Sequence, residues 1–142
     1  MPSTVIIHID GGSRGNPGEA GAGVVIAGAD GVALYEAGLY IGKATNNVAE
    51  YHGLVAALTA AAKLGVGEID LYSDSQLLVR QMLGEYRVKN AGLRPYYQQA
   101  SALASKFDRC DFHHVPREEN TRADCLANLA MDCGADIGGE LS

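Results

Sequence analysis

The sequence predicts an α/β fold built on a mixed five-stranded sheet, three antiparallel strands then two parallel ones, with helices on both faces. Three observations predict it. Three β-branched, apolar segments follow one another near the N-terminus with only turn residues between them. A helical period then replaces the strand period from residue 47 onward. Two further short apolar segments each follow a helical stretch, and strands reached through helices pair in parallel.

Residues 4–10 (TVIIHID) form the first expected strand, bounded by Gly11-Gly12. Residues 21–27 and 33–41 form the next two, joined by a hairpin around Asp30-Gly31. Over 47–64, Val48, Tyr51, Val55, Leu58 and Ala62 fall on one helical stripe, and Gly65 stops the helix. Residues 68–73 are a fourth strand. A short helix over 75–84 closes on Gly84, and another over 94–106 has Pro95 in its first turn. Residues 110–116 alternate as a fifth strand ending at Pro116, and 121–133 form a last helix with Ala123, Leu126, Ala127 and Ala130 inward. From Gly134 the tail is Gly-rich and acidic and is expected to fray. The reading is one domain over 1–142, with its core at 4–133 and a tail at 134–142.

With 142 residues, 47% of them hydrophobic, the chain can bury a substantial core. Its apolar runs are too short to span a bilayer, and the N-terminus lacks the basic region of a signal peptide. A soluble, cytoplasmic protein is expected. Cys110, Cys125 and Cys133 show no metal-ligand spacing. Cys125 and Cys133 lie about 12 Å apart along one helix, too far for a bridge; a Cys110–Cys133 link stays open. The net charge of −6 counts against a nucleic-acid partner, although Arg80, Arg87, Lys89 and Arg94 cluster within one short segment.

Four carboxylates recur at element edges: Asp10 in HIDGGSRGNPG, Glu50 in TNNVAEY, Asp74 in LYSDSQ and Asp124 in NTRADCLA. Each alone has an ordinary reading. Asp10 before Gly-Gly fits turn chemistry. Asn47-x-x-Glu50 and Thr121-x-x-Asp124 fit capping boxes, and Asp74 could cap the helix that follows. Together they converge on the region where the meander meets the first crossover. Carboxylates so gathered repel one another, and divalent cations are the usual reason to gather them. A period of two puts His8 on the same strand face as Asp10, either near the site or simply packed.

DGGSRGNPG, TNNVAEY, SDS and NTRAD, in this order, resemble type 1 ribonuclease H over roughly residues 4–133. The resemblance implies that fold and a two-ion phosphodiester hydrolysis on RNA–DNA hybrids, with Mg²⁺ as the cofactor and Mn²⁺ as the alternative. By resemblance, Asp10 bridges two ions, Glu50 and Asp74 complete one site, and Asp124 completes the other. The products carry a 5′-phosphate and a 3′-hydroxyl. The resemblance also implies that Gly11, Gly12, Ser13, Asn16, Asn46, Asn47 and Gln76 meet the RNA strand, partly through its 2′-hydroxyls. Thr45, Lys89 and Asn90 would hold a DNA-strand phosphate.

Two departures from the family pattern stand out. The basic, Trp-rich handle is missing, since Gly84 to Val88 is nearly directly linked and the chain has no Trp; this predicts modest, salt-sensitive affinity. The loop before Asp124 is short and lacks the family's histidine. His113 and His114 lie in the fifth strand and are not assigned its role, and Arg117 is the expected substitute, binding the scissile phosphate. The handle-less form is similar to compact archaeal-type members. Cleavage of double-stranded RNA remains an alternative. A non-catalytic hybrid-binding module would be expected to have lost an acid. An actin-like nucleotide-binding domain would need two such domains. A monomer with no obligate protein partner is expected.

Overall fold

The computed structural model describes residues 3–140. β1 (Thr4–Arg14), β2 (Gly18–Gly28) and β3 (Ala33–Ala44) form the antiparallel meander. They are followed by α1 (Asn46–Leu64), β4 (Glu68–Ser73), α2 (Gln76–Met82), α3 (Arg94–Ala104), β5 (Arg109–His114), α4 (Thr121–Cys133) and β6 (Ile137–Gly138). The sheet order is β5-β4-β1-β2-β3-β6, with β1, β4 and β5 mutually parallel. This is the ribonuclease H-like α/β fold expected above.

The meander strands outrun the apolar runs that marked them. Pairing between β1 and β2 continues from Val5↔Gly28 to Arg14↔Glu19, straight through the Gly-Gly pair read as a stop. Cross-strand pairing outweighs local propensity here.

The sheet also has a sixth strand where a frayed tail was expected. Ile137 and Gly138 pair with Gly38 and Ala37, and Asp136 Oδ1 accepts the Tyr40 N–H at 2.8 Å. A two-residue strand is too short to carry a period, so its pairing is a tertiary event. Residues 141 and 142 of the expected tail lie outside the described residues.

Val5, Ile7 and Ile9 of β1, Val24 and Ile26 of β2, and Ile69 and Leu71 of β4 are fully buried against Leu54 and Leu58 of α1. The stripe expected on α1 is rotated. Ala62 is exposed, and the buried hydrophobic residues are Ala49, Tyr51, Leu54, Ala57, Leu58, Ala60, Ala61 and Leu64. α1 is covered by the sheet on one side and by α3 on another, so its apolar face is wider than one stripe.

α4 lies on the opposite face. A Cβ on Gly23 would come within 1.9 Å of Ala123 O in α4, whereas the neighbouring Ala22 meets Gly53 of α1. Adjacent strand residues point to opposite faces, so α1 and α4 sandwich β2.

Helix starts differ from the capping boxes read in the sequence. Thr45 caps α1, its Oγ1 accepting the Val48 N–H at 3.2 Å. Ser75, not Asp74, caps α2 through the Leu78 N–H. Asn120 precedes α4 without a side-chain cap bond. Glu50 and Asp124 are therefore free of capping duty.

Candidate active site

The ladder between β1 and β4 runs from Thr4↔Glu68 to Ile9↔Ser73 and stops. Asp10 follows the last pair on one strand and Asp74 on the other. The site sits at this parting. Asp10 also pairs across β2 with Gly23, the residue that α4 touches, so α4 brings Asp124 to the same place. α1 supplies Glu50 from the other face. It can do so because residue 11 is glycine: a Cβ there would lie 2.5 Å from Ala49 C and Glu50 N.

One carboxylate oxygen each from Asp10, Glu50 and Asp74 lies within 4.8 Å of the others. Asp10 and Glu50 are each only 7% exposed. Burial is the main force pushing the Asp10 carboxyl up to about 8, followed by contact with Asp124 and repulsion from Asp74. Burial and then the charges of Asp10 and Asp74 push Glu50 well above the usual carboxylate range, while the Gly11 N–H opposes this. Glu50 Oε2 is fully buried and has no hydrogen-bond partner among the described residues. An orphaned carboxylate oxygen inside a cluster of hard oxygen donors, with no thiolate or imidazole among them, fits a divalent cation such as Mg²⁺.

The acids open into a cavity of about 710 Å³. It is lined by Asp10, Glu50, Asp74 and Asp124 and by Gly11, Gly12, Ser13, Asn46, Asn47 and Arg117 from the expected set. Arg117 stands in a 3-10 turn over 117–119, with Nη2 3.7 Å from Asp124 Oδ1 and 78% of its side chain exposed. Asn16 stays outside the cavity wall but accepts the Asn46 N–H at 3.0 Å. The Ser13 N–H in turn donates to Asn46 Oδ1 at 2.8 Å.

Four other expected substrate contacts are not part of that cavity wall. Thr45 is occupied as a cap. Gln76 is exposed at the start of α2, facing a separate groove with His113. Lys89 lines a second cavity of about 620 Å³ together with Arg87, Arg94 and Tyr86. Asn90 is exposed, and its Oδ1 accepts the Gly92 N–H at 2.7 Å, making a local turn rather than a helix cap.

His8 is not part of the cavity. Its ring stacks on Tyr72, with centroids 5.2 Å apart, and burial lowers its pKa. His114, which sequence reasoning left unassigned, lines the acidic cavity with Arg14, Ser75 and Asn128. Strand alternation was legible in the sequence, but which of the two histidines faces the acids was not. Consecutive strand residues face opposite ways, and His113 turns to Asp70 at 3.0 Å, so His114 must point the other way. The three cysteines are free.

Fold and pocket together define a class: a ribonuclease H-like sheet carrying a cation-type acidic site at the parting of β1 and β4. A family model described as "Reverse transcriptase-like" matches residues 8–130. The chain is 54% identical over 132 residues to "Bifunctional protein Rv2228c" of Mycobacterium tuberculosis, covering 92% of this chain and 36% of that protein. It thus spans about a third of the curated relative it matches there. The crystal structure of RNase H1 from the archaeon Halobacterium salinarum superposes with a TM-score of 0.88 at 46% identity, covering 92% of this chain and 98% of that one. The structure of LC11-RNase H1 in complex with an RNA/DNA hybrid gives 0.87 at 43% identity, with the same two coverages.

The chain belongs to the type 1 ribonuclease H family. Family membership carries divalent-metal use with it, in keeping with the donor set described above.

Proposed function

We propose that the chain is an endoribonuclease that hydrolyses the RNA strand of RNA–DNA hybrids, with two Mg²⁺ ions as cofactor, leaving 5′-phosphate and 3′-hydroxyl ends. The observation that carries this reading is the meeting of Asp10, Glu50 and Asp74 within 4.8 Å around a buried, unpartnered Glu50 oxygen. Asp10 is central, close to both Asp74 and Asp124, which suits it to bridge two ions, Glu50 and Asp74 holding one and Asp124 the other. When bound, such ions activate a water and offset negative charge on phosphate and leaving oxygen. Mn²⁺ is the natural substitute, having the same preference for carboxylate and water.

The chain's own residues supply recognition. Asn46, Asn47 and the Gly11–Ser13 segment rim the acidic cavity and present amide and hydroxyl groups, the kind of donors and acceptors that read a 2′-hydroxyl. With Asn46 Oδ1 and Asn16 Oδ1 both engaged, their Nδ2 groups are the atoms left to donate. Arg117 is exposed and beside Asp124, within reach of a phosphate at the cavity mouth. Lys89, with Arg87 and Arg94 around the second cavity, suits the backbone of the DNA strand, together with Thr45 and the adjacent Asn90, while Gln76 suits the minor groove on the RNA side. The hybrid bound in the LC11-RNase H1 structure supports this choice of substrate.

A monomeric, cytoplasmic protein completes the proposal. Its three free cysteines fit a reducing compartment, and among the described residues no helix is long and apolar enough to cross a membrane. The test is incubation of end-labelled RNA–DNA hybrid with and without Mg²⁺, with double-stranded RNA alongside. Metal-dependent cutting confined to the RNA strand is expected, and an intact hybrid at saturating Mg²⁺ would overturn the reading.

A further inference from the structure

We infer that Asn120 is a positioning residue, which ties the strand carrying Asp10 to the helix carrying Asp124 and to the turn carrying Arg117. Its side chain is 1% exposed, the most deeply buried amide side chain among the described residues. Nδ2 donates to the Ile9 carbonyl at 2.7 Å. The Asn120 N–H donates to Arg117 O at 3.0 Å, and its carbonyl accepts the Asp124 N–H at 3.2 Å. One residue thus touches the main chain beside Asp10 and the main chain of both Asp124 and Arg117.

The placement answers a need created by the site. Ile9 is the last residue of β1 paired to β4, so the strand carries Asp10 just past the end of that ladder. α4 packs on the sheet at Gly23, the cross-strand partner of Asp10, and the Asn120–Ile9 bond ties α4 to β1 beside the two acids. The amide is kept although Asn120 Oδ1 has no partner among the described residues. A buried polar atom left unpaired is costly, and an apolar side chain of similar size would avoid that cost. An apolar side chain could not donate to Ile9 O. The benefit of asparagine is therefore the fixed distance between two acids rather than stability.

This inference rests on the proposed metal site, and its test reads metal binding separately from cleavage. Asn120→Leu removes the donor to Ile9 O, and the isosteric Asn120→Asp removes it wherever the new carboxyl is ionised. For each variant and the wild type, the metal-free melting temperature, the Mn²⁺ dissociation constant by calorimetry without substrate, and kcat and KM on hybrid are measured. Leu58→Ala serves as a control destabilised far from the acids. Loss of an outer-shell partner typically weakens metal affinity by about 10–100-fold. Each Asn120 variant that folds is expected to bind Mn²⁺ about 10-fold more weakly and to lose kcat by a similar factor, with KM within about twofold. The Leu58→Ala control keeps its Mn²⁺ affinity. Wild-type Mn²⁺ affinity and kcat in a folded Asn120 variant would overturn the inference, as would failure of both variants to fold, which would make the residue merely structural. A wild-type protein that binds Mn²⁺ but leaves hybrid intact would instead refute the proposed activity and leave the Asn120 measurement standing.

Discussion

Asn16 Oδ1 accepts the main-chain N–H of Asn46 at 3.0 Å, and this bond clips the tip of the β1–β2 hairpin to the start of α1. Asn46 returns the contact by accepting the Ser13 N–H at 2.8 Å. Two loops far apart in sequence thus form one rim beside the acids. Asn16→Ala removes the first bond without touching a carboxylate. It is expected to raise KM for hybrid several-fold, about 1 kcal/mol for one such hydrogen bond, and to leave kcat within about twofold. Steady-state kinetics with labelled hybrid check this; an unchanged KM would show that the rim does not bind substrate.

Asp10 predicts an inverted pH dependence of stability. Its carboxyl ordinarily titrates at 3.8, and in the fold it is pushed up to about 8, chiefly by burial. The folded state therefore holds a proton that the unfolded state has lost between those values. The stability this contributes is full below about pH 4 and falls as pH rises toward 8. The metal-free protein should melt at a lower temperature at pH 8 than at pH 5.5. Asp10→Asn should flatten that slope and raise metal-free stability at pH 8 by at least about 1 kcal/mol, roughly one pKa unit's worth. It should also abolish cleavage. Saturating Mg²⁺ should raise the wild-type melting temperature at pH 8 and not that of Asp10→Asn, because a ligand bound only by the folded state stabilises it. Thermal melts across pH, with EDTA or Mg²⁺, test all three statements.

Gly11 sets the approach of α1. A Cβ at residue 11 would sit 2.5 Å from main-chain atoms of Ala49 and Glu50, which cannot move aside as a flexible side chain could. Gly11→Ala should push α1 away from β1, at a cost of about 1–3 kcal/mol. Glu50 moves with it. Hybrid cleavage should fall by at least about tenfold even well below the melting temperature. Near-normal activity at 20 °C would show that Glu50 needs no such closeness.

Arg117 stands 3.7 Å from Asp124 on a short turn, with most of its side chain in solvent. So exposed a pair contributes little to folding, so Arg117→Ala should not change the melting temperature measurably. It should lower kcat by about tenfold or more, the scale of losing one charge-stabilising donor at a reacting group, with KM changed much less. Unchanged turnover at saturating hybrid would remove Arg117 from the reaction.

Much of the architecture was legible from local pattern, since the element order through α4 and the parallel pairing of β1, β4 and β5 follow from periodicity and from helices between strands. Patterns of this kind carry little about where a strand stops once a neighbour keeps pairing, which is why β1 runs on to Arg14 and β6 went unread. The four acids were visible as motifs. The rival readings of Glu50, Asp74 and Asp124 as caps fell to Thr45, Ser75 and Asn120, because only the backbone path decides which residue begins a helix, and the turn reading of Asp10 fell to β1 pairing on past it. His113 and His114 were visible as a pair, but which one faces the acids depended on the partner each found across the sheet.

By itself, the sequence determined the kind of chemistry this chain is equipped for, because side-chain identity sets charge, donor type and metal preference without any coordinates. Only the tertiary structure decided which of those groups act together. The 4.8 Å meeting of Asp10, Glu50 and Asp74, the glycine contacts that permit it and the bond from Asn120 to Ile9 join residues 24 to 111 positions apart in the chain. Distances of that kind come from packing helices onto both faces of one sheet, and no local run of residues encodes them.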